Sequence, residues 1–271
     1  MSHIQRLVSV SLVMVLLSAC ATSPTGRRQL MLVSEASAIV SSKEAYLTTV
    51  SELDEAGKID TNRATRKRVD DITGRLIAQA IEMRSNTADW EWSVVVIDDP
   101  EMVNAWCMAG GRMAIYTGLL DKVKPTDDEL AQVMGHEIAH ALANHTAEKM
   151  SMQIATSLGV AAVGIASDNT GVALTGAALA AMVAVNLPNS RAAEIESDRI
   201  GIELAAKAGY DPRAAATLWE KMGKVSPTST PQFLSTHPSP GNRIKTLSEI
   251  APEMMQYYHP DAKHPVYKFR Y

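Results

Sequence analysis

The tightest constraint on this chain is the run Thr126-Asp127-Asp128-Glu129-Leu130-Ala131-Gln132-Val133-Met134-Gly135-His136-Glu137-Ile138-Ala139-His140. It ends in the pattern H-E-x-x-H. On a helix turning about 100° per residue, His136 and His140 lie roughly 40° apart, and Glu137 falls on the same broad face. Two imidazoles can then hold one metal ion while the carboxylate faces its open side: two ligands and a general base for metal-assisted hydrolysis. Thr126 and Glu129 supply a T-x-x-E capping box where such a helix would begin. No proline follows before Met150. The competing reading is an ordinary amphipathic helix with unrelated histidines, so the rest of the chain must decide.

A catalytic zinc needs a third protein ligand and an open position. His145 is no candidate, since five residues past His140 it turns about 140° off the ligand face; a surface histidine is expected. Arg191-Ala192-Ala193-Glu194-Ile195-Glu196-Ser197-Asp198 is expected to open a new helix capped by Asn189 or Ser190. Glu194 and Asp198 share a face there, with Glu194 suited to the metal and Asp198 to a ligating histidine's second nitrogen. Glu196 points roughly 160° away from each of them. A salt-bridged helix surface is the alternative, because Glu196 and Arg199 are present too. His237 lies in a proline-flanked loop ahead of a last helix at 243–250. It is either an ordinary loop histidine or a group that reaches the ion or its oxyanion.

The remaining pattern is mainly helical. Apolar residues recur at helical spacing over 34–56 and 62–84, and Asp211-Pro212 opens another helix through Trp219 and Met222. The charges Arg63, Arg66, Lys67 and Arg68 read as a solvated face. Residues 90–97 are β-branched and aromatic and read as a strand, and the runs on either side of Gly110-Gly111 read as a hairpin. The fold class expected is mainly α with a small antiparallel sheet. The edge of that sheet can accept an extended peptide as an added strand, or serve only as scaffold. Residues 154–185 are apolar and small, interrupted at 167–170, and each arm falls short of the ~20 residues of a membrane span. A buried helical hairpin ended by Leu187-Pro188-Asn189-Ser190 is expected, with contact to a membrane surface or partner as the alternative. The net charge of −4 shows no basic excess, which argues against nucleic acid as a partner.

Residues 1–19 read as a signal peptide: Arg6, a short apolar run from Leu7 to Leu17, then small residues. Leu17-Ser18-Ala19-Cys20 resembles a bacterial lipobox, which would leave Cys20 as a lipidated N-terminus. A plain signal peptide with an incidental thiol, or a signal anchor, are the alternatives. Cys107 is then left without a disulfide partner. Residues 20–33 read as a tether, with Arg27 and Arg28 solvated. The stretch after Pro252, with His259 and His264, is expected to lie over the surface.

Together these residues resemble the zinc metallopeptidase family that includes HtpX, the CAAX prenyl protease and the mitochondrial Oma-type peptidase, and most closely its bacterial outer-membrane lipoprotein members. The resemblance is carried by Asn104…Gly110-Gly111…Gly118-Leu119-Leu120, His136-Glu137-Ile138-Ala139-His140, Glu194-Ile195-Glu196-Ser197-Asp198, and Thr236-His237-Pro238 with Arg243. Thr25-Gly26-Arg27-Arg28-Gln29-Leu30 also resembles the mature start of those lipoproteins. The resemblance implies a gluzincin-type domain over 34–255 with a tail at 256–271. It implies one Zn2+ held by His136, His140 and Glu194, Glu137 activating water, and His237 approaching the metal with Arg243 in support. It also implies that the strand with Asn104, Ala105 and Trp106 aligns substrate. Unfolded or misassembled envelope proteins are the implied substrates of an enzyme lipid-anchored at Cys20 and facing the periplasm. An outer-membrane assembly factor or chaperone with a latent metal site, working with the assembly machinery, is the alternative.

Overall fold

The structure, a computed structural model, describes residues 20–166, 172–225, 233, 235, 237 and 243–270, without the side chains of Cys20 and of 159–189. The signal-peptide reading of 1–19, the interruption at 167–170 and the loop at 226–231 lie outside the described residues.

Side chains at the helix starts act as the sequence suggests. Ser34 accepts the Ser37 N–H ahead of α1 (Glu35–Glu55), and Asn62 accepts those of Ala64 and Thr65 ahead of α2 (Arg63–Met83). The capping box is complete on α3 (Asp127–Leu142): Thr126 Oγ1 accepts the Glu129 N–H at 3.3 Å, and Glu129 Oε2 accepts the Thr126 N–H at 2.8 Å. Further helices among the described residues are α4 (His145–Ala166), α5 (Val172–Lys207), α6 (Ala214–Val225) and α7 (Arg243–Met254).

Two helix boundaries differ from expectation. α3 does not run on through His145: it ends at Leu142, and Asn144 takes a left-handed φ of 56°. Asparagine tolerates that conformation, and its carbonyl then accepts the Glu148 N–H at 3.0 Å to start α4. Conversely, no helix begins at Asn189 or Ser190. α5 runs through Pro188 without a break and packs on α3, and such tertiary contact overrides local propensity.

Strands β1 (Cys20–Thr22) and β2 (Arg28–Leu30) form an antiparallel hairpin. β3 (Ser93–Ile97), β4 (Ala105–Met108) and β5 (Arg112–Tyr116) form the main sheet in the order β3-β5-β4. β4 and β5 make the antiparallel hairpin expected around Gly110 and Gly111, whose φ values of 84° and 82° suit glycine. β3, however, pairs with β5 in parallel, so the sheet is mixed, where an antiparallel one was expected. The chain leaves β3, passes over the sheet, and lays β4 on the outside. Trp90 and Trp92 precede the strand; the Trp92 indole donates to the Thr87 carbonyl at 2.8 Å instead.

The core surrounds α3. Leu130, Ala131, Met134, Ile138, Ala139 and Leu142 are fully buried between α2, β4, α5 and α6. α3 and α5 meet backbone to backbone, for a Cβ on Gly135 would lie 2.8 Å from the Gly201 carbonyl oxygen. Glu194 sits about two turns before that crossing on α5, which brings it beside His136. Among the described residues no helix is long and apolar enough to cross a membrane. The tail lies on α2, where Tyr267 N–H donates to the Gly74 carbonyl at 2.8 Å.

Candidate metal centre

Three elements deliver the candidate ligands. α3 supplies His136 and His140, α5 supplies Glu194, and His237 follows Phe233, whose N–H is held by the Val103 carbonyl at 3.0 Å. One donor atom from each of His136, His140, Glu194 and His237 lies within 4.8 Å of the others. His136 Nε2 is 3.1 Å from His140 Nε2 and 3.3 Å from His237 Nδ1. Glu194 reaches His237 Nδ1 at 3.2 Å, His136 Nε2 at 3.3 Å and His140 Nε2 at 3.4 Å. A tetrahedron around zinc with nitrogen and oxygen bonds of ~2.0–2.1 Å has edges of about 3.3–3.4 Å. The donor types and their spacing therefore both fit a single Zn2+.

Glu137 is buried beside this cluster. Its Oε1 has no hydrogen-bond partner among the described residues, and His237 Nε2 stands 3.4 Å away. Burial raises the Glu137 pKa, with the charges of His237 and His136 opposing, so the carboxylate is a stronger base than an exposed one. Burial opposes ionisation of Glu194 as well, but hydrogen bonds from His136 and His237 hold its pKa far below the usual carboxylate range. Burial and Arg243 would lower the His136 pKa; hydrogen bonds to Asp198 and Glu194 outweigh them and raise it to about 9. Burial and the neighbouring histidines push that of His140 well down.

Asp198 stands behind His136, its Oδ1 3.0 Å from Nδ1, as its spacing from Glu194 suggests. Arg243 pairs with that same carboxylate oxygen and lies 3.4 Å from Glu194 Oε2. Its guanidinium is stacked 3.7 Å from the Trp219 ring centroid. One buried cation thus offsets two buried carboxylates. β4 is the outer strand and packs on α3, so Ala105 and Trp106, with Asn104 just before them, form an edge alongside the metal helix. Cys107 on the same strand is a free thiol, and burial, then the charge of Glu137, push its pKa well up; it is not a reactive nucleophile.

Three residues are placed otherwise than expected. His145 is not on the surface but 7% exposed, its Nδ1 2.9 Å from His140 Nδ1, because the break at Asn144 redirects it. Glu196 is buried too, 3.1 Å from His145 Nε2. Arg27 is not solvated: it bridges Glu196 and Glu148 at 2.6 Å each, and the segment read as a tether is folded onto the domain. His145, Glu148 and Glu196 stand among other polar residues (Lys149, Ser151, Arg191, Asp198, Arg199), so nothing local says that a distant hairpin covers them. On the solvated face of α2, as expected, Arg68 pairs with the exposed Asp127 at the start of α3 at 2.7 Å.

Known proteins agree with this geometry. The model of peptidase family M48 matches residues 63–251. The mitochondrial metalloendopeptidase OMA1 of Arabidopsis thaliana is 41% identical over 162 residues, covering 58% of this chain and 31% of that protein. The protein of the same name from Schizosaccharomyces pombe is 34% identical over 219 residues, 78% of this chain and 60% of that one. The β-barrel assembly-enhancing protease of Yersinia pestis is 27% identical over 210 residues, 74% and 41% respectively. This chain thus spans less than two thirds of each of these relatives.

Proposed function

This chain belongs to peptidase family M48, and from that premise we propose that it is a zinc-dependent endopeptidase whose ion is held by His136, His140 and Glu194. The observation that carries the reading is the convergence of those donors beside a buried carboxylate whose Oε1 is unpartnered among the described residues. A zinc ion held by His136, His140 and Glu194 would supply Lewis acidity, enough to bring the pKa of water towards ~7. Glu137 takes the proton of the attacking water and passes it to the leaving amine. Asp198 holds the second nitrogen of His136, and Arg243 pairs with Asp198 and reaches Glu194 from behind the site. The β4 edge at Asn104, Ala105 and Trp106 orients an extended substrate. His237 occupies the remaining corner, which favours a latch that withdraws when substrate enters.

Lipid attachment at Cys20, and with it a periplasm-facing place on the outer membrane, is supported by the lipobox-like Leu17-Ser18-Ala19-Cys20; similarity to the Yersinia β-barrel assembly-enhancing protease fits a bacterial envelope setting. Unfolded or misassembled envelope proteins are then the substrates. The name of that relative also motivates a second reading, an assembly factor that holds its client without cutting it.

The deciding experiment compares the purified chain with Glu137→Gln on an unfolded protein, with zinc measured in both. The expected result is equal zinc and loss of at least ~100-fold in cleavage in the variant, the scale of losing a general base. Equal cleavage by both, or none by either, would sink the peptidase reading.

A further inference from the structure

The N-terminal hairpin reaches the metal centre from behind, and we propose that Arg27, Glu196 and His145 are positioning residues for the metal ligand His140. This rests on the zinc reading above and adds to it a part of the chain that the ligand set does not use.

The hairpin presents Arg27 from a tight turn, with the Ser23 N–H on the Arg27 carbonyl at 2.8 Å and Gly26 at φ 88°. All three nitrogens of the Arg27 guanidinium donate. Nε donates to Glu196 Oε2 at 2.6 Å, and Nη1 and Nη2 donate to the two oxygens of Glu148 at 2.7 and 2.6 Å. Thr25 donates to the other oxygen of Glu196. Gln29 donates to Glu148 Oε2 at 2.8 Å and to the Ala143 carbonyl, where α3 ends, at 2.7 Å. A bidentate arginine of this kind fixes both partners in direction as well as distance.

From Glu196 the order of donors is determined. A carboxylate only accepts, so His145 Nε2, 3.1 Å from Oε2, carries the hydrogen. In a neutral imidazole Nδ1 then offers a lone pair. His140 Nδ1, 2.9 Å away, must therefore donate to it, as the Ser197 hydroxyl at 3.3 Å is able to. With its hydrogen on Nδ1, His140 keeps a bare lone pair on Nε2, the nitrogen that faces His136 and Glu194. The chain Arg27–Glu196–His145–His140 thus selects the ligating tautomer and fixes the ring. A carboxylate usually does this for a metal-bound histidine directly; here a second histidine stands between. Glu196 and Glu148 are buried, and an unpaired buried carboxylate is costly, so Arg27 is what allows the chain to be anchored there.

The test uses the full chain and measures zinc affinity by chelator competition and the cobalt(II) visible spectrum, beside the melting temperature of the metal-free protein. His145→Leu keeps the bulk and removes both hydrogen bonds; His145→Gln keeps them, its oxygen accepting from His140 and its amide donating to Glu196. His145→Leu is expected to weaken zinc binding ~10–100-fold and to shift the cobalt spectrum, with His145→Gln recovering most of both. Arg27→Gln lies outside the helical core and decides the matter even if His145→Leu fails to fold; it is expected to weaken zinc ~10-fold. Wild-type affinity and spectrum in Arg27→Gln, or a Gln variant no better than Leu, would overturn the proposal and leave the hairpin a mere cover. A wild-type chain that binds zinc but cleaves nothing defeats the peptidase reading alone. One that binds no zinc defeats both.

Discussion

His237 and Glu137 stand 3.4 Å apart, yet only one of them is legible from spacing. Glu137 is fixed by its place between two histidines on a helix. His237 is more than a hundred residues from its neighbour His136 in sequence, and it is brought in by Phe233, whose N–H is held by the Val103 carbonyl and whose carbonyl accepts the His237 N–H at 2.9 Å. Its ring packs against Phe233, with centroids 4.6 Å apart, and removing it frees the fourth corner while His136, His140 and Glu194 stay in place on α3 and α5. His237→Ala is accordingly expected to retain zinc and to raise basal cleavage of an unfolded substrate several-fold; unchanged or lower activity would reject the latch. The other residues divide the same way. His136, His140, Glu194 and Asp198 follow from helical periodicity, which a sequence displays. His145 and Glu196 do not, because their environment is set by one left-handed residue, Asn144, and by a hairpin 169 positions from Glu196.

At the scale of elements, the start of α3 matters most, since the helix that carries the ligands hangs from it. Glu129 accepts from Thr126 N–H at 2.8 Å, from Thr217 Oγ1 at 2.8 Å and from Lys221 at 2.6 Å, joining the capping box to α6. Burial would raise its pKa, but the hydrogen bond to Lys221 and those from Thr126 and Thr217 bring it below the ordinary value. The folded state therefore binds this proton less readily than the unfolded chain, whose glutamate titrates near ~4.3. The stabilisation is full above that pH and is lost as pH falls towards the folded-state value. Urea midpoints measured at pH 7 and at pH 3.5 should fall less with acid in Glu129→Gln than in the wild type. Thr126→Ala should cost about 1 kcal/mol at both. An identical acid response in Glu129→Gln would refute the linkage. The capping box was readable because it spans four consecutive residues; the parallel pairing of β3 with β5 was not, because it depends on which strand returns to the outside after a crossover.

For the molecule as a whole, the folded N-terminal hairpin changes what lipid attachment would mean. Cys20 pairs with Leu30 in the hairpin, and Arg27 is bound to α4 and α5. A lipid on Cys20 would then hold the metal centre close to the bilayer instead of at the end of a flexible lead. Seven residues separate Cys20 from Arg27, at most about 25 Å even if fully extended, and the turn makes the distance shorter. A body held this close reaches substrates at the membrane surface, while one released into solution should still cleave soluble unfolded protein. Cys20→Ser expressed in a bacterial envelope is therefore expected to move from the membrane to the soluble fraction while keeping its zinc and its cleavage of a soluble unfolded substrate. Retention in the membrane would reject the cysteine as anchor and direct attention to the exposed apolar side chains of Val40 and Leu47 on α1 and Ile154 and Leu158 on α4, on helices that pack against one another. Release with loss of zinc would instead mean that the first residues of the hairpin must be pinned for Arg27 to hold its place.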